Sequence, residues 1–111
     1  METFTKGDIV LFPFPYTDLT NRKLRPCLVL SNEMKGDILL CQITSNRISK
    51  DEFSISLKST ETLEGSLELD GFVRTNMLFT ANKEQILKKV CSIKKEKYYV
   101  IVKKIISLIE W

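Results

Sequence analysis

Short apolar segments separated by polar turns run through the chain as far as residue 93, a pattern typical of a mainly β protein. Between residues 53 and 57, apolar residues alternate with serines, as they do in a strand that buries one face. The segment 25–31 is apolar almost throughout, which is typical of a central strand. The pattern predicts strands at residues 8–12, 25–31, 37–44, 53–57, 67–69, 72–80 and 86–93, with turns at 32–36, 64–65 and 70–71.

The end of the chain changes to a helical period. Apolar residues recur at the spacing of one helix face, at Tyr98, Ile101, Val102, Ile105, Leu108 and Ile109. Lysines lie before and between them, at Lys94, Lys95, Lys97, Lys103 and Lys104. Ser92 is the predicted N-cap of this helix. Lysines in the first turn oppose the helix dipole, so tertiary packing must stabilise the helix. The whole pattern predicts one domain over residues 1–111, an SH3-like barrel formed by a strongly bent antiparallel sheet with a C-terminal amphipathic helix.

A proline-rich segment at residues 13–23 interrupts the early strands. It contains two prolines and several turn-forming residues, and it is therefore predicted to be an exposed loop. Phe14 and Tyr16 are unusual in such a loop. They either stack on a ligand or fold back over the barrel.

Composition limits the class of protein. The chain has 111 residues, of which 43% are hydrophobic, so it is long enough for one domain with a real core. No apolar run approaches the roughly 18 residues that span a bilayer, and the first residues lack the apolar segment of a signal peptide. These features predict a cytoplasmic protein that does not associate with membranes.

The sequence contains no histidine. This removes the usual general base, the usual zinc ligand and any Ser–His or Cys–His nucleophile pair. Cys27, Cys41 and Cys91 lie far apart inside apolar segments, and we interpret them as reduced core residues. A site of three thiolates is the alternative, although no Cys-x-x-Cys spacing supports it. We expect neither a metal nor another cofactor.

Charge is unevenly distributed. Residues 1–80 contain 9 basic and 11 acidic side chains, a net charge of −2, whereas residues 81–111 contain 8 lysines and 3 acids, a net charge of +5. The lysine-rich end is either the solvated face of a helix or a surface that attracts nucleic acid or an acidic partner.

Three short motifs follow one another in the first half of the chain. They are G-D-I-V at 7–10, R-P-C-L-V-L at 25–30 and I-T-S at 43–45. In this order and spacing they resemble the MazF/PemK (Kid) family of type II toxin–antitoxin ribonucleases. The resemblance is strongest over residues 6–48 and weaker over 66–80, and after that it extends only to the placement of the helix.

The resemblance implies a barrel-like fold, a homodimer, metal-independent cleavage of single-stranded RNA, and a small antitoxin protein that blocks the RNA groove. In the family, the arginine of the R-P strand and the threonine of the I-T strand end are catalytic; they match Arg25 and Thr44. Kid-like members also use an R-x-D pair on a later strand. Arg74 matches its arginine, whereas Asn76 stands in place of its aspartate. The resemblance therefore makes Arg25, Thr44 and Arg74 the candidate catalytic residues.

Polar and aromatic residues near these positions are candidates for RNA binding. The first loop closes over substrate in the family, and an aromatic side chain there can stack on a base. The candidate RNA-binding residues are Tyr16, Thr17, Ser45, Asn46, Arg47 and Asn76.

RNA cleavage is chemically reasonable for a chain without histidine. RNA carries its own nucleophile, the 2′-hydroxyl, and its attack leaves 2′,3′-cyclic phosphate and 5′-hydroxyl ends. A guanidinium such as that of Arg25 suits phosphate oxygens. Arginine is a poor general base at neutral pH because its side chain keeps its proton there. The base is therefore a perturbed Arg25 or a carboxylate such as Asp18, or catalysis is mainly electrostatic, the hypothesis that we favour.

Other readings remain open at this point. A CcdB-like gyrase poison has the same barrel architecture without cleaving RNA, and an inactive barrel would only bind proteins. Arg25 could instead be a structural residue paired with Asp8 or Glu68, and Thr44 an ordinary β-former. Arg74 could likewise be structural.

Overall fold

The computed structural model describes residues 3–15, 22–45, 52–65, 67 and 70–111. Within this part of the chain, seven strands form one antiparallel sheet: β1 (Asp8–Pro15), β2 (Arg22–Val29), β3 (Asp37–Thr44), β4 (Ser54–Leu57), β5 (Thr62–Leu63), β6 (Gly71–Asn82) and β7 (Lys88–Ile93). Helix α1 (Lys95–Ile109) follows, and two 3₁₀ turns lie at Ser59–Glu61 and Lys83–Gln85. The predicted fold class, a mainly β chain with a bent antiparallel sheet and a C-terminal helix, is confirmed.

The strand order is β4-β6-β3-β2-β1-β7-β5. Strand β1 therefore lies between β2 and β7, and the two ends of the chain meet in the sheet. The backbone N–H of Ile93 donates to the carbonyl of Gly7, which closes this contact just before the helix begins. The long strand β6 pairs with β4 through its first residues and with β3 through most of its length, so it joins the two parts of the bent sheet.

Each face of the sheet covers its own apolar core. Helix α1 packs on one face through Ile101 and Ile105, and we call the buried cluster there the helix-side core. The other face carries the aromatic-side core, which includes Val10 and Leu40. Neighbouring residues alternate between the two cores, as Ile9 and Val10 do, because successive side chains of a strand point to opposite faces. A central strand with both faces covered reads as a continuous apolar run.

Three phenylalanines close the aromatic-side core. Phe12, Phe14 and Phe79 meet edge to face, with ring centroids 5.2–5.6 Å apart. For Phe14 the structure thus supports the reading in which the aromatic ring covers the sheet. Tyr16, its companion in the sequence argument, lies outside the described residues.

The first hairpin is longer than the sequence predicted. Strand β1 runs through Pro13 and Pro15, and β2 starts at Arg22, so the predicted loop at 13–23 is wrong at both ends. Leu11 accepts a backbone hydrogen bond from Leu87 on the β7 side, and β1 makes no pair with β7 beyond Leu11. Pro13 and Pro15 have the same parity as Leu11, so the side on which they lack an N–H group is the β7 side, where no described strand pairs with β1 beyond Leu11. Prolines are tolerated at such an edge because no ladder hydrogen bond is lost.

The helix begins later than predicted, and Ser92 is not its N-cap. Ser92 lies in β7, where its hydroxyl donates to the carbonyl of Leu63. The N-cap is Lys94, whose side chain makes no capping hydrogen bond. The backbone stays extended through Ile93 because β7 is still paired with β5 and contacts Gly7 there.

The three cysteines occupy two different cores. Cys27, Cys41 and Cys91 are free and buried, as predicted, but Cys27 lies in the aromatic-side core and the other two in the helix-side core. The three thiols therefore do not share one site.

The strand predicted at residues 67–69 is only partly covered by the structure. Leu67 is buried without belonging to a strand, and residues 68–69 lie outside the described residues. Among the described helices, none has the length and apolar character needed to cross a membrane.

Candidate functional site

The strand register brings Arg25 and Thr44 together. Strands β2 and β3 pair with Cys27 opposite Gln42, and continuing this register by two residues places Arg25 opposite Thr44. Opposed residues of antiparallel strands project from the same face. Arg25 also pairs with Phe12 of β1, so this is the face of the aromatic-side core. Both side chains are half-buried; Arg25 lies within β2, and Thr44 is the last residue of β3.

Arg25 and Thr44 line a cleft of about 700 Å³. Four cationic residues contribute to it, and Ser45 adds a second hydroxyl beside Thr44. Leu24 and Pro26 line it as well, so the cleft extends around the start of β2 rather than over one face only. The full lining is Leu11, Lys23, Leu24, Arg25, Pro26, Ile43, Thr44, Ser45, Leu67, Gly71, Lys88, Lys89 and Val90.

Gly71 allows two strands to approach each other at this cleft. A Cβ atom on Gly71 would lie 2.9 Å from the carbonyl oxygen of Thr44 and 3.3 Å from a methyl carbon of Ile43. Contacts as short as the first are avoided by real side chains, so only glycine fits here without a shift of β3. The sequence analysis predicted Gly71 to be a turn residue. In the structure it belongs to β6, and its lack of a side chain lets β6 lie close to the backbone of Thr44.

Asp8 is paired with Lys89 and not with Arg25. The buried carboxylate of Asp8 accepts from the backbone N–H of Thr5 at 2.9 Å and lies 3.3 Å from the Lys89 ammonium. Lys89 also contacts Glu64 at 3.3 Å. Burial alone would lower the pKa of Lys89, but the hydrogen bonds and charges of Asp8 and Glu64 outweigh burial and raise this pKa overall.

Arg25 makes no ion pair with any described residue, so the structural role with Asp8 is not observed. Glu68, its other suggested partner, lies outside the described residues. A guanidinium at the wall of an open cleft can bind an anion with its fork of N–H donors. Thr44 can add a hydroxyl donor directed at the same anion.

Arg74 and Asn76 lie elsewhere. The β3–β6 register jumps from Val73 opposite Ile43 to Leu78 opposite Cys41, so residues 74–77 form a bulge in β6. Neither Arg74 nor Asn76 is among the described residues that line the cleft.

Two buried side chains hold the bulge. Thr75 is fully buried, and both its backbone N–H and its hydroxyl donate to the carbonyl of Phe53. The thiol of Cys41 donates to the carbonyl of Arg74 at 3.0 Å. The backbone around Arg74 is therefore fixed from both sides.

Of the predicted site residues, the structure brings Arg25, Thr44 and Ser45 into one cleft. The predicted RNA-binding residues Tyr16, Thr17, Asn46 and Arg47 lie outside the described residues. The sequence argument did not assign Lys23, Lys88, Lys89 or Gly71 to a site. Its one useful signal was the lysine excess after residue 80, which includes Lys88 and Lys89.

The thiols near the cleft are not nucleophiles. Burial raises the pKa of both Cys27 and Cys41 to about 12, and for Cys27 the nearby Cys41 adds to this shift while Arg25 opposes it. At neutral pH these groups are protonated thiols, and a thiol is a much weaker nucleophile than the thiolate. The reactive features of the cleft are therefore its cations and hydroxyls.

A family model covers almost the whole chain. The model for the PemK-like, MazF-like toxin of type II toxin–antitoxin systems matches residues 5–109. No curated protein gives a significant sequence match.

Several solved structures share the fold. A MazE–MazF complex from Deinococcus radiodurans matches with a TM-score of 0.78 at 18% identity, covering 97% of each chain. MazF alone from the same organism matches with a TM-score of 0.73 at 19% identity over 100% of each chain. A mycobacterial endoribonuclease in complex with its cognate antitoxin matches with a TM-score of 0.71 at 14% identity, covering 96% of this chain and 94% of that one. At these identities the likeness is one of fold.

Proposed function

This chain belongs to the PemK-like, MazF-like toxin family of type II toxin–antitoxin systems, and on that premise we propose that it is an endoribonuclease that cleaves single-stranded RNA. One observation carries the proposal. Arg25 and Thr44, nineteen positions apart in the sequence, line the same open cleft with two further polar groups suited to phosphate, Lys23 and Ser45. A toxin that acted only by binding a protein would not require a guanidinium and a hydroxyl beside one cleft.

The substrate supplies the nucleophile in this proposal. The 2′-oxygen attacks the neighbouring phosphorus and the bond from phosphorus to the 5′-oxygen breaks, which leaves a 2′,3′-cyclic phosphate and a 5′-hydroxyl. The proton of the 2′-hydroxyl leaves to solvent or to a base, and the departing 5′-oxygen gains a proton. The enzyme has to align the attack and stabilise the charge that develops on the phosphate oxygens.

Arg25 binds two phosphate oxygens with its fork of N–H groups, and Thr44 donates its hydroxyl to the same phosphate. Fixed donors of this kind stabilise the transition state most strongly where water is partly excluded, as in a half-buried cleft. Arg74 adds positive charge from the β6 bulge. Asn76 cannot act as a general base where Kid-like members have aspartate, so we assign catalysis mainly to electrostatic stabilisation.

The direct test is incubation of the purified protein with a long single-stranded RNA in excess EDTA. Cleavage with 2′,3′-cyclic phosphate and 5′-hydroxyl ends is the expected result, because attack by the 2′-hydroxyl needs no metal ion. Intact RNA together with arrested DNA supercoiling by gyrase would instead identify a CcdB-like poison. If neither effect occurs, the barrel only binds other proteins.

The partners proposed for the chain are a cognate antitoxin and a second copy of itself. The matched complexes of MazE with MazF, and of a mycobacterial endoribonuclease with its antitoxin, support the first. Exposed apolar side chains at the end of α1, such as Ile109 at 71% exposure, support a protein contact there. The mass of the purified toxin in solution, compared with 12.8 kDa for one chain, tests for the homodimer.

A further inference from the structure

The lysine excess at the end of the chain divides into two groups in the structure. Lys88 and Lys89 of β7 line the cleft, whereas the lysines of α1 do not. One helix lysine, Lys97, is occupied by an ion pair with Glu61, and another, Lys104, lies over the ring of Phe53. The lysines of this segment that line the proposed RNA site are therefore those of β7, and not those of the helix.

Strand pairing fixes where Lys88 lies relative to Arg25. Leu11 of β1 pairs with Lys88 on one side and with Pro26 on the other, so these three residues form one row across the sheet. Arg25 adjoins Pro26 in β2 and therefore projects from the opposite face of the sheet, so Lys88 and Arg25 lie on two faces of the sheet that meet at the cleft. Neighbouring strands lie about 4.8 Å apart, so the β2 and β7 sides of the cleft are separated by roughly 10 Å at the backbone.

The two β7 lysines differ in what they can offer a ligand. Lys89 is held between Asp8 and Glu64, and their negative charges offset its own. Lys88 is exposed and makes no ion pair with any described residue. The floor between the two sides is apolar, with Leu11, Pro26 and Val90.

We propose that Lys88 forms a second phosphate subsite, which binds a backbone phosphate adjacent to the one held by Arg25. This inference rests on the proposed ribonuclease function. The cleft extends around the start of β2, so its positive groups on two faces of the sheet suit a single strand that crosses this end with one phosphate at each group and a base or sugar between them. Lys88 then contributes to substrate binding, while Arg25 and Thr44 act at the reacting phosphate.

The first step of the test is to map the ends that wild-type protein produces on a long RNA, which identifies a cleaved site. An oligoribonucleotide of that site is then made with a 2′-O-methyl group on the attacking sugar, so that it binds without being cleaved. Its dissociation constant is measured for wild type, Lys88→Gln, Lys88→Arg and Lys95→Gln between about 50 and 200 mM KCl. Lys95→Gln is the matched control, because it makes the same charge change at an exposed residue of α1 outside the described cleft lining.

For Lys88→Gln we expect weaker binding at low salt and a salt dependence that is shallower by about 0.7 in the slope of log K against log [KCl], the value for one phosphate contact to a single strand. Lys88→Arg and Lys95→Gln should keep the wild-type slope. Equal slopes for Lys88→Gln and Lys95→Gln would overturn the subsite.

Two further outcomes separate this inference from the proposed function. If the wild-type protein cleaves no RNA, the ribonuclease proposal fails and the subsite fails with it. If wild type cleaves RNA and Lys88→Gln weakens only binding of the antitoxin, the lysine belongs to a protein interface and the subsite is wrong. Melting temperatures of the four proteins check that all are folded; Lys88 is exposed, so its replacement leaves the cores intact.

Discussion

At the scale of single residues, the candidate site depends on two side chains whose identities are visible in the sequence and whose proximity is not. Arg25 lies within β2, and Thr44 is the last residue of β3. The β2–β3 register, continued by two residues beyond Cys27 and Gln42, places them opposite one another. A shift of this register by one residue would move Thr44 to the other face of the sheet.

The role of Arg25 can be tested by a change that keeps its charge. Arg25→Lys should reduce kcat/KM for RNA cleavage by about 100-fold to 1,000-fold, the cost of losing one fixed transition-state donor, because lysine lacks the two-pronged geometry. Initial rates on a long RNA measure this effect. Lys95→Arg, at an exposed residue of α1 outside the described cleft lining, serves as the control and should remain active. Full activity of Arg25→Lys would show that positive charge alone is sufficient.

Gly71 is the residue whose replacement should disturb Thr44 without touching its side chain. Gly71→Ala places a methyl group 2.9 Å from the Thr44 carbonyl oxygen, so β3 or β6 must shift. We expect a loss of about 1–3 kcal/mol in the free energy of unfolding, the usual cost of overpacking, together with lower cleavage activity. Urea unfolding followed by circular dichroism measures the first quantity. Unchanged stability would mean that the backbone moves freely here.

At the scale of elements, helix α1 illustrates how packing replaces a missing local signal. Its N-cap is a lysine without a capping side-chain hydrogen bond. The adjoining 3₁₀ turn contacts this end of the helix instead. The Glu61 carboxylate lies 3.2 Å from the ammonium of Lys97 in the first turn, and the backbone carbonyl of Glu61 accepts a hydrogen bond from the backbone N–H of Lys94. A carboxylate beside a helix N-terminus also interacts favourably with the helix dipole.

This contact should make stability depend on pH. A hydrogen bond from the Lys58 backbone N–H is the largest influence on Glu61 and, with the charge of Lys97, holds the pKa of its carboxyl below the usual value against the opposing effect of burial. A lowered pKa in the folded state means that the stabilisation is complete above the unfolded pKa of about 4.3 and is lost as pH falls through the folded pKa.

Glu61→Gln should therefore lower the free energy of unfolding at pH 7 by about 0.5–1 kcal/mol, because the pair is partly solvated. The difference from wild type should disappear in acid, once Glu61 is protonated. Thermal melts from pH 7 down to pH 3 provide the comparison, with Glu52→Gln, at an exposed residue away from α1, as the control. A constant difference across this range would show that the charge of Glu61 does not stabilise the fold.

At the scale of the whole molecule, the sheet brings together the two ends of the chain. Strand β1 pairs with β2 and β7, and α1 then covers the face on which residues from six strands and the helix meet. All three thiols are buried with no measurable exposure. Exposing any one of these thiols to solvent requires strands of the sheet to separate, and movement of a loop is not sufficient.

The thiols should accordingly report global unfolding. Burial is the first cause of the raised pKa of each of them, to about 12 for Cys27 and Cys41. We expect all three to resist iodoacetamide in the native protein and to react together once urea passes the unfolding midpoint. Mass spectrometry of labelled protein counts the adducts. Labelling of a single cysteine under native conditions would reveal a local opening that the structure does not show.

The sequence by itself determined the fold class, the approximate strands, the amphipathic helix and the identities of Arg25 and Thr44. These follow from local periodicity and short motifs, because side-chain alternation and helical spacing are properties of neighbouring residues. Tertiary structure alone decided that β1 continues through two prolines, that Ser92 remains in a strand, and that Lys88 and Gly71 belong to the cleft. Each of these features depends on which strand pairs with the segment concerned. The pairing of two distant segments cannot be predicted from the residue pattern of either segment alone.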